Sequence, residues 1–220
     1  MLNYEGIELH WLGHDGFKIK KDKVIYIDPY QLRGSPEKAD LAFITHEHYD
    51  HLSPEDLKKV VGPETVVVTI SSCQAKAQGL KPKRVEVFRP GDKREVEGVE
   101  VEAVPAYNVN KFRSPGMVFH PKADGKVGFI LTVAGKRIYH AGDTDNIPEM
   151  EKAKGVDLAL VPVSGTYVMT AEEAVEACRT IQPKVAIPMH YGAIVGSAED
   201  ARRFEGAAPC RVEILERVGQ

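Results

Sequence analysis

Ile44-Thr45-His46-Glu47-His48-Tyr49-Asp50-His51-Leu52-Ser53 is the stretch on which the reading of this chain turns. Three of the chain's eight histidines and one aspartate fall within six consecutive positions of it. The run before it, Leu41-Ala42-Phe43-Ile44, is short and wholly apolar, the pattern of a buried strand. The run after it, Ser53-Pro54-Glu55-Asp56, places an N-cap residue, a proline and two acids in the order that starts a helix. The histidines are therefore predicted in a loop at the C-terminal end of a strand, where α/β sheets present functional groups. Neutral imidazole and carboxylate suit zinc, and both also accept manganese or iron. His46 and His48, two apart in extended backbone, point the same way and can grip one ion. Asp50 and His51 can then turn to a second. A polar loop that merely caps strand and helix is the alternative, but four metal-type side chains at this junction favour a metal site.

Working outward, composition bounds the rest. The 220 residues suffice for a single domain, 1–220, with a sizeable core. A net charge of −3 argues against general nucleic-acid binding. The three cysteines, Cys73, Cys178 and Cys210, are odd in number and far apart, which suggests neither a disulfide framework nor a zinc ribbon. Cys178 falls in a helical pattern and reads as a small core residue. The N-terminus lacks a basic segment followed by an apolar one, and no apolar run approaches spanning length. A soluble cytoplasmic protein without a membrane partner is the expectation, with self-association into a homo-oligomer left open.

Before the histidine loop, Ile7–Leu12, Phe17–Lys20 and Val24–Ile27 read as a meander of three antiparallel strands, with His14 in a glycine-flanked turn and Asp28 ending the third strand. His14 has a functional or a turn-capping role. After the loop, strands over 65–70 and 84–88 alternate with short helices, and 93–96 and 99–104 form a hairpin across Glu97-Gly98. Val109 to Lys126 reads as a long irregular stretch, and such stretches are usually functional. Its Lys111, Arg113 and Lys122 suit an anionic group, or form a solvated basic loop. Val127–Val133 and Lys136–Ala141 make a second hairpin that ends in Gly142-Asp143-Thr144. A strand over 156–163, a helix opened by the capping box Thr170-Ala171-Glu172-Glu173, and a strand over 184–189 ending in His190 follow. Glu199–Phe204 is helical, and Val212–Leu215 closes a sheet.

His46-x-His48-x-Asp50-His51 after a hydrophobic strand resembles the signature of the metallo-β-lactamase-fold hydrolases, and further matches lie in order along nearly the whole chain. The turn Trp11-Leu12-Gly13-His14 and the run Tyr139-His140-Ala141-Gly142-Asp143-Thr144 resemble the branch that includes the ascorbate-6-phosphate lactonases. The resemblance implies a four-layer αββα sandwich, mixed α/β, built on two mainly antiparallel sheets. It implies one or two divalent ions, zinc first and manganese or iron next, held by His46, His48, Asp50, His51, Asp143 and His190, with Asp143 bridging. Asp28 would support the histidine loop. Many members carry a third histidine where this sequence has Asn108, so the first ion either keeps only His46 and His48 from the loop or takes Asn108 or His120 as well. His120 reads equally as a substrate contact or an ordinary loop residue. His140 reads as a hydrogen-bonding or acid group beside the metal, or as a buried, satisfied histidine.

The chemistry this implies is attack of metal-activated water on an ester, lactone or phosphoester, of a small molecule. Asp50 orients the water, and His14 or His140 steadies charge or protonates the leaving group, as Tyr107 or Tyr167 could. No G-x-S-x-G nucleophile elbow is present. A non-catalytic, metal-stabilised binding protein is the alternative of a different class.

Overall fold

The computed structural model describes residues 1–218. They form two compact units: one runs from Met1 to Arg89 and takes in the segment from Leu215 onward, and the other is Pro90–Ile214.

The first unit is a seven-stranded sheet whose strands lie side by side in chain order: β1 (Leu2–Tyr4), β2 (Ile7–Gly13), β3 (Gly16–Lys20), β4 (Val24–Ile27), β5 (Leu41–Phe43), β6 (Val66–Thr69) and β7 (Arg84–Val87). The first four pair antiparallel. Alternation in β2 puts Ile7, Leu9 and Trp11 inside and leaves Glu8 and His10 partly exposed. From β4 onward the pairing is parallel. Accordingly β5 and β6 are buried at every position, as strands covered on both faces require. Helices α1 (Pro54–Val60) and α2 (Gln74–Gly79) make the crossovers from β5 to β6 and from β6 to β7, and an irregular segment over 28–40 makes the one from β4 to β5. The Ser53 hydroxyl accepts the Asp56 amide at the head of α1, and Pro54 occupies its first turn.

The second unit repeats the plan. Its main sheet takes the order β8 (Lys93–Val96), β9 (Val99–Pro105), β12 (Val127–Val133), β13 (Lys136–His140), β14 (Leu158–Pro162), β15 (Val185–Met189), β16 (Arg211–Val212). The pairs up to β12–β13 are antiparallel, and the three beyond are parallel. Between β9 and β12 a separate two-stranded ribbon, β10 (Phe112–Ser114) and β11 (Met117–Val118), turns at Pro115-Gly116. Helix α3 (Ala171–Ile181) carries the predicted capping box. Thr170 caps the Glu173 amide, and Glu173 accepts the Thr170 amide in return. Helix α4 (Ala198–Ala207) lies against α3 and β15.

Three expectations are corrected. The sheets are half antiparallel and half parallel, three pairings of each kind in both units, because short helical crossovers join their later strands. Residues 109–126 are not irregular throughout but contain the β10–β11 ribbon and a 3-10 turn over Lys122–Asp124. The closing strand is only Arg211–Val212; Glu213 to Leu215 leave the sheet.

This topology positions the functional groups. Alternating strand directions put the ends of β2, β4 and β5 at one edge of the first sheet. They put the ends of β9, β13, β14 and β15 at one edge of the second.

Candidate metal centre

At the functional edge of the first unit, His14 and Asp15 form the β2–β3 turn, Asp28 follows β4, and His46 to His51 follow β5. All of these except His48 are buried, apart from the intervening Glu47 and Tyr49. His14 Nε2 lies 3.1 Å from Asp50 Oδ2 and 3.4 Å from Asp15 Oδ2. His51 Nε2 lies 3.7 Å from the same Asp50 oxygen and 3.8 Å from the same Asp15 oxygen. His46 Nε2 and His48 Nδ1 are 3.0 Å apart. Nitrogen donors about 2.1 Å from one zinc stand roughly 3.4 Å from each other in a tetrahedral site, so these separations suit a shared cation.

The supporting atoms set which nitrogen of each ring faces the centre. Asp28, fully buried, accepts the Thr45 amide at 2.9 Å, the Thr45 hydroxyl at 2.6 Å and His51 Nδ1–H at 2.7 Å. With Nδ1 donating to Asp28, His51 presents the lone pair of Nε2. The Thr45 hydroxyl in turn stands 3.0 Å from His46 Nδ1, which leaves His46 Nε2 to bind. These tautomers follow from the partners. The turn holding His14 is fixed from two sides. Trp11 Nε1–H donates to the His14 carbonyl at 2.9 Å, and Arg217 Nε–H donates to the Leu12 carbonyl at 2.8 Å. A Cβ on Gly13 would meet Arg217 Nε at 2.7 Å, so only glycine lets the arginine cross there.

At the functional edge of the second unit, Asp143 Oδ2 stands between two imidazoles, 3.4 Å from His120 Nε2 and 3.5 Å from His190 Nε2. All three residues are buried. His190 Nδ1 is 2.9 Å from Ser164 Oγ, and His120 Nδ1–H donates to Asn108 Oδ1 at 2.8 Å. Each ring therefore aims Nε2 at the carboxylate. Of the two residues expected to complete the first ion, only His120 has an atom to offer. Asn108 Oδ1 also accepts the His120 amide, and its Nδ2 donates to Asp145 and to the Tyr167 carbonyl. Asn108 is a clamp on His120.

His140, the last residue of β13, is buried and accepts the Gly142 amide through Nδ1 at 3.2 Å, which shapes the turn that delivers Asp143. Tyr107 donates to Glu149 at 2.9 Å, and its hydroxyl pKa is raised by burial and by that carboxylate. Lys111 pairs with Glu173 at 2.6 Å and Lys122 with Glu149 at 2.6 Å, so neither presents an unopposed charge. Asp15 was not singled out from the sequence; a lone acid in a Gly-His-Asp-Gly turn carries no periodic signal. Backbone strain marks the same places: the buried His14, Asp28 and His190 have φ of 52°, 44° and 60°.

The donors are imidazole nitrogens and carboxylate oxygens throughout, a set that fits zinc, manganese or iron and lacks the thiolates of a structural zinc site. Within the first unit, ligand atoms of His14, Asp15 and His51 all lie within 4.8 Å of one another, close enough to hold an ion.

Residues 8–190 match the family described as the β-lactamase superfamily domain, and the chain belongs to it. It has the metallo-β-lactamase fold, mixed α/β with sheets flanked by helices. More narrowly, it belongs to the UPF0173 metal-dependent hydrolases. It is 33% identical to such a protein of Methanopyrus kandleri over 90% of both chains. It is 32% identical to one of Pelotomaculum thermopropionicum, covering 95% of this chain and 96% of the other. A crystal structure of a putative metal-dependent hydrolase from Parabacteroides distasonis superposes with a TM-score of 0.80 at 32% identity, covering 96% and 94% of the two chains. The chain is thus an enzyme, a metal-dependent hydrolase.

Proposed function

We propose that residues 1–220 act as one hydrolase domain that cleaves an ester bond, a lactone or a phosphoester, in a small molecule. In this reading the chain holds one or two divalent ions, zinc first. The residues that would hold them are His46, His48, Asp50, His51, Asp143 and His190, with His120 added to the set. The observation that carries it is Asp143, a buried carboxylate oxygen flanked at 3.4 and 3.5 Å by two imidazole nitrogens whose other nitrogens are engaged. Two further facts support it: the family's dependence on metal, and a matched segment that reaches from before His14 to His190.

A divalent ion held by such donors would lower the pKa of a bound water to roughly 7 and so supply a nucleophile at neutral pH. The chain's own residues do the rest. Asp50 orients the attacking water and takes its proton. His14, 3.1 Å from Asp50 Oδ2, delivers a proton to the leaving alcohol. Asp15 Oδ2 stands 3.4 Å from the same His14 nitrogen, so both carboxylates face that edge of the ring. His140 positions Asp143. The Gly-His turn and the run Tyr139 to Thr144 make a lactone, as in the ascorbate-6-phosphate lactonase branch, our first choice of substrate. We place the activity in the cytoplasm, on a small molecule and not on nucleic acid or membrane.

Elemental analysis of the purified protein, run beside lactone, phosphomonoester, phosphodiester and phosphotriester substrates, tests this. Turnover of an ester with one or two ions per chain is expected, and Asp50→Ala should lower kcat about 10²–10⁴-fold with its circular dichroism unchanged. A protein that unfolds on chelation and turns over none of these esters would instead have a structural metal and a binding role.

A further inference from the structure

Two residues beyond Asp143, Asp145 is buried, yet it belongs to none of the clusters of candidate metal donors among the described residues. Its carboxyl group instead gathers donors from the chain leaving β9. Oδ2 accepts the Val109 amide at 2.7 Å and the Asn110 amide at 2.9 Å, and Oδ1 accepts Asn108 Nδ2–H at 3.1 Å. Lys111 Nζ stands 3.4 Å from Oδ1. The two exits are fastened at the same place through their main chains. Asp145 N–H donates to the Tyr107 carbonyl at 2.9 Å, and the Thr144 hydroxyl accepts Tyr107 N–H at 3.2 Å. The segment that delivers Asp143 is thereby bound to the segment that carries Asn108.

This arrangement has a direction. An amide side chain accepts at one end and donates at the other, and a half-turn exchanges them. Asn108 Nδ2 donates to two acceptors, Asp145 Oδ1 and the Tyr167 carbonyl at 2.8 Å. Its Oδ1 is then left facing His120, where it accepts the backbone amide at 2.9 Å and Nδ1–H at 2.8 Å. Turning the amide over would set donor against donor on both sides of a buried group. In a neutral imidazole whose Nδ1 carries the proton, Nε2 holds the lone pair. Nε2 is the atom 3.4 Å from Asp143 Oδ2. The contacts that begin at Asp145 thus return, through Asn108 and His120, to a carboxyl group two residues away.

We propose that Asp145 is a positioning residue: acting through the Asn108 amide, it fixes the tautomer of His120 and holds its Nε2 toward Asp143. Its effect on metal binding rests on the hydrolase reading above, whereas its effect on the tautomer does not. The test has two readouts on the full chain. In the metal-free protein, histidine labelled at its ring nitrogens shows by long-range proton–nitrogen spectra which nitrogen of His120 is protonated, and His120→Gln assigns the signal. At about pH 8, above the ordinary histidine pKa, wild type should show Nδ1–H alone. Asp145→Asn sets a new N–H against Asn108 Nδ2 or against the Val109 and Asn110 amides, and should give a mixture of tautomers. The second readout is zinc affinity by competition with a chromophoric chelator. Asp145→Asn should weaken it about tenfold or more, and so should Asn108→Asp, which brings two carboxyl groups face to face. Combining them restores donor opposite acceptor and leaves an acceptor facing His120, so the double variant should recover most of the loss. Two unrelated injuries would instead multiply. Thermal melting shows which variants are folded; if Asp145→Asn alone is not, its addition to Asn108→Asp must still strengthen zinc binding. A His120 tautomer unchanged in Asp145→Asn, or a double variant as weak as the product of the two singles, would overturn the proposal. A wild type that holds His120 in the Nδ1–H form but binds no zinc would uphold the positioning role and refute the metal reading instead.

Discussion

In the first unit β3 begins at Gly16, and the chain leaving β4 passes it at Asp28. In the second, Gly128 lies near the start of β12, and the chain leaving β13 passes it at His140 and Ala141. Both units use the same order of three antiparallel and three parallel pairings, and each opens its donor loops along one edge of its sheet. What differs is how tightly each exit is held and which side chains it carries. The first unit concentrates its donors in one hexapeptide and a turn. The second gathers one donor each from the segments after β11, β13 and β15. A shared strand plan therefore fixes where donors can emerge, while local contacts decide which residue at each exit can bind.

The two glycines offer the harshest way to break this comparison. A Cβ on Gly128 would sit 2.4 Å from the His140 carbonyl oxygen and 2.5 Å from that of Ala141, both backbone atoms that cannot swing aside. Gly128→Ala must displace the end of β13 that carries Asp143, and should cost about 3 kcal/mol or more together with metal binding. On Gly16 the corresponding contacts are 3.1 Å to Asp28 O and Gly13 O. Gly16→Ala should cost at most about 1 kcal/mol. Urea denaturation of both variants, with metal content measured alongside, decides it; equal costs would mean the two exits are not held as differently as described.

The clamps on the imidazoles sharpen the comparison at smaller amplitude. Asp28 is a carboxyl group, accepting His51 Nδ1–H and steering His46 through Thr45. Asn108 is a neutral amide that governs His120 alone. Outer partners of metal-bound histidines commonly contribute 10–100-fold to affinity, so Asp28→Asn should lie near the upper figure and Asn108→Ala near the lower. Competition with a chromophoric chelator measures both. If the order is reversed, His120 matters more to the centre than either His46 or His51.

Much of this was readable without coordinates, and the reasons are local. The hexapeptide His46 to His51, the capping box at Thr170 and the apolar runs of β5, β6 and β14 declare themselves within a few residues. Asp28 and His190 were legible because each closes an apolar strand. Asp15 and the choice between Asn108 and His120 were not, since both depend on atoms distant in sequence: Asp15 on His51, and Asn108 on Asp145 and Tyr167. The ribbon was hidden for another reason. Its strands are three and two residues long, with exposed residues facing outward, so no burial pattern betrays them. The parallel half of each sheet was underestimated because pairing direction is set by the crossovers, and a strand's own composition reports burial more clearly than direction.

The smallest expected effect concerns the acids that tether a loop of each unit to a helix. In the first unit, Asp56 on α1 accepts the Gln31 and Leu32 amides, both at 2.8 Å, with Ser53 and Lys59 also donating. In the second, Glu173 on α3 accepts Lys111 at 2.6 Å, Asn110 at 2.6 Å and the Thr170 amide at 2.8 Å. Burial alone would raise both pKa values, but these donors outweigh it and hold both below their ordinary 3.8 and 4.5. A carboxylate whose pKa is depressed by folding adds stability that is complete above its unfolded pKa and disappears as pH falls through the lower folded one. Glu173→Gln keeps a weaker acceptor at the helix cap but loses the charge opposite Lys111, so about 1 kcal/mol should be lost at pH 7. Asp56→Asn, with its carboxylate almost wholly buried and two backbone amides depending on it, should lose about 2 kcal/mol. In both cases the gap from wild type should hold from pH 7 down to about 4.5 and close at lower pH, as wild type takes up the proton the variant cannot. Melting temperatures taken between pH 7 and 3 test this, at constant ionic strength. A gap that stays constant on acidification would show that the tethers act through packing and not through the charge on Asp56 or Glu173.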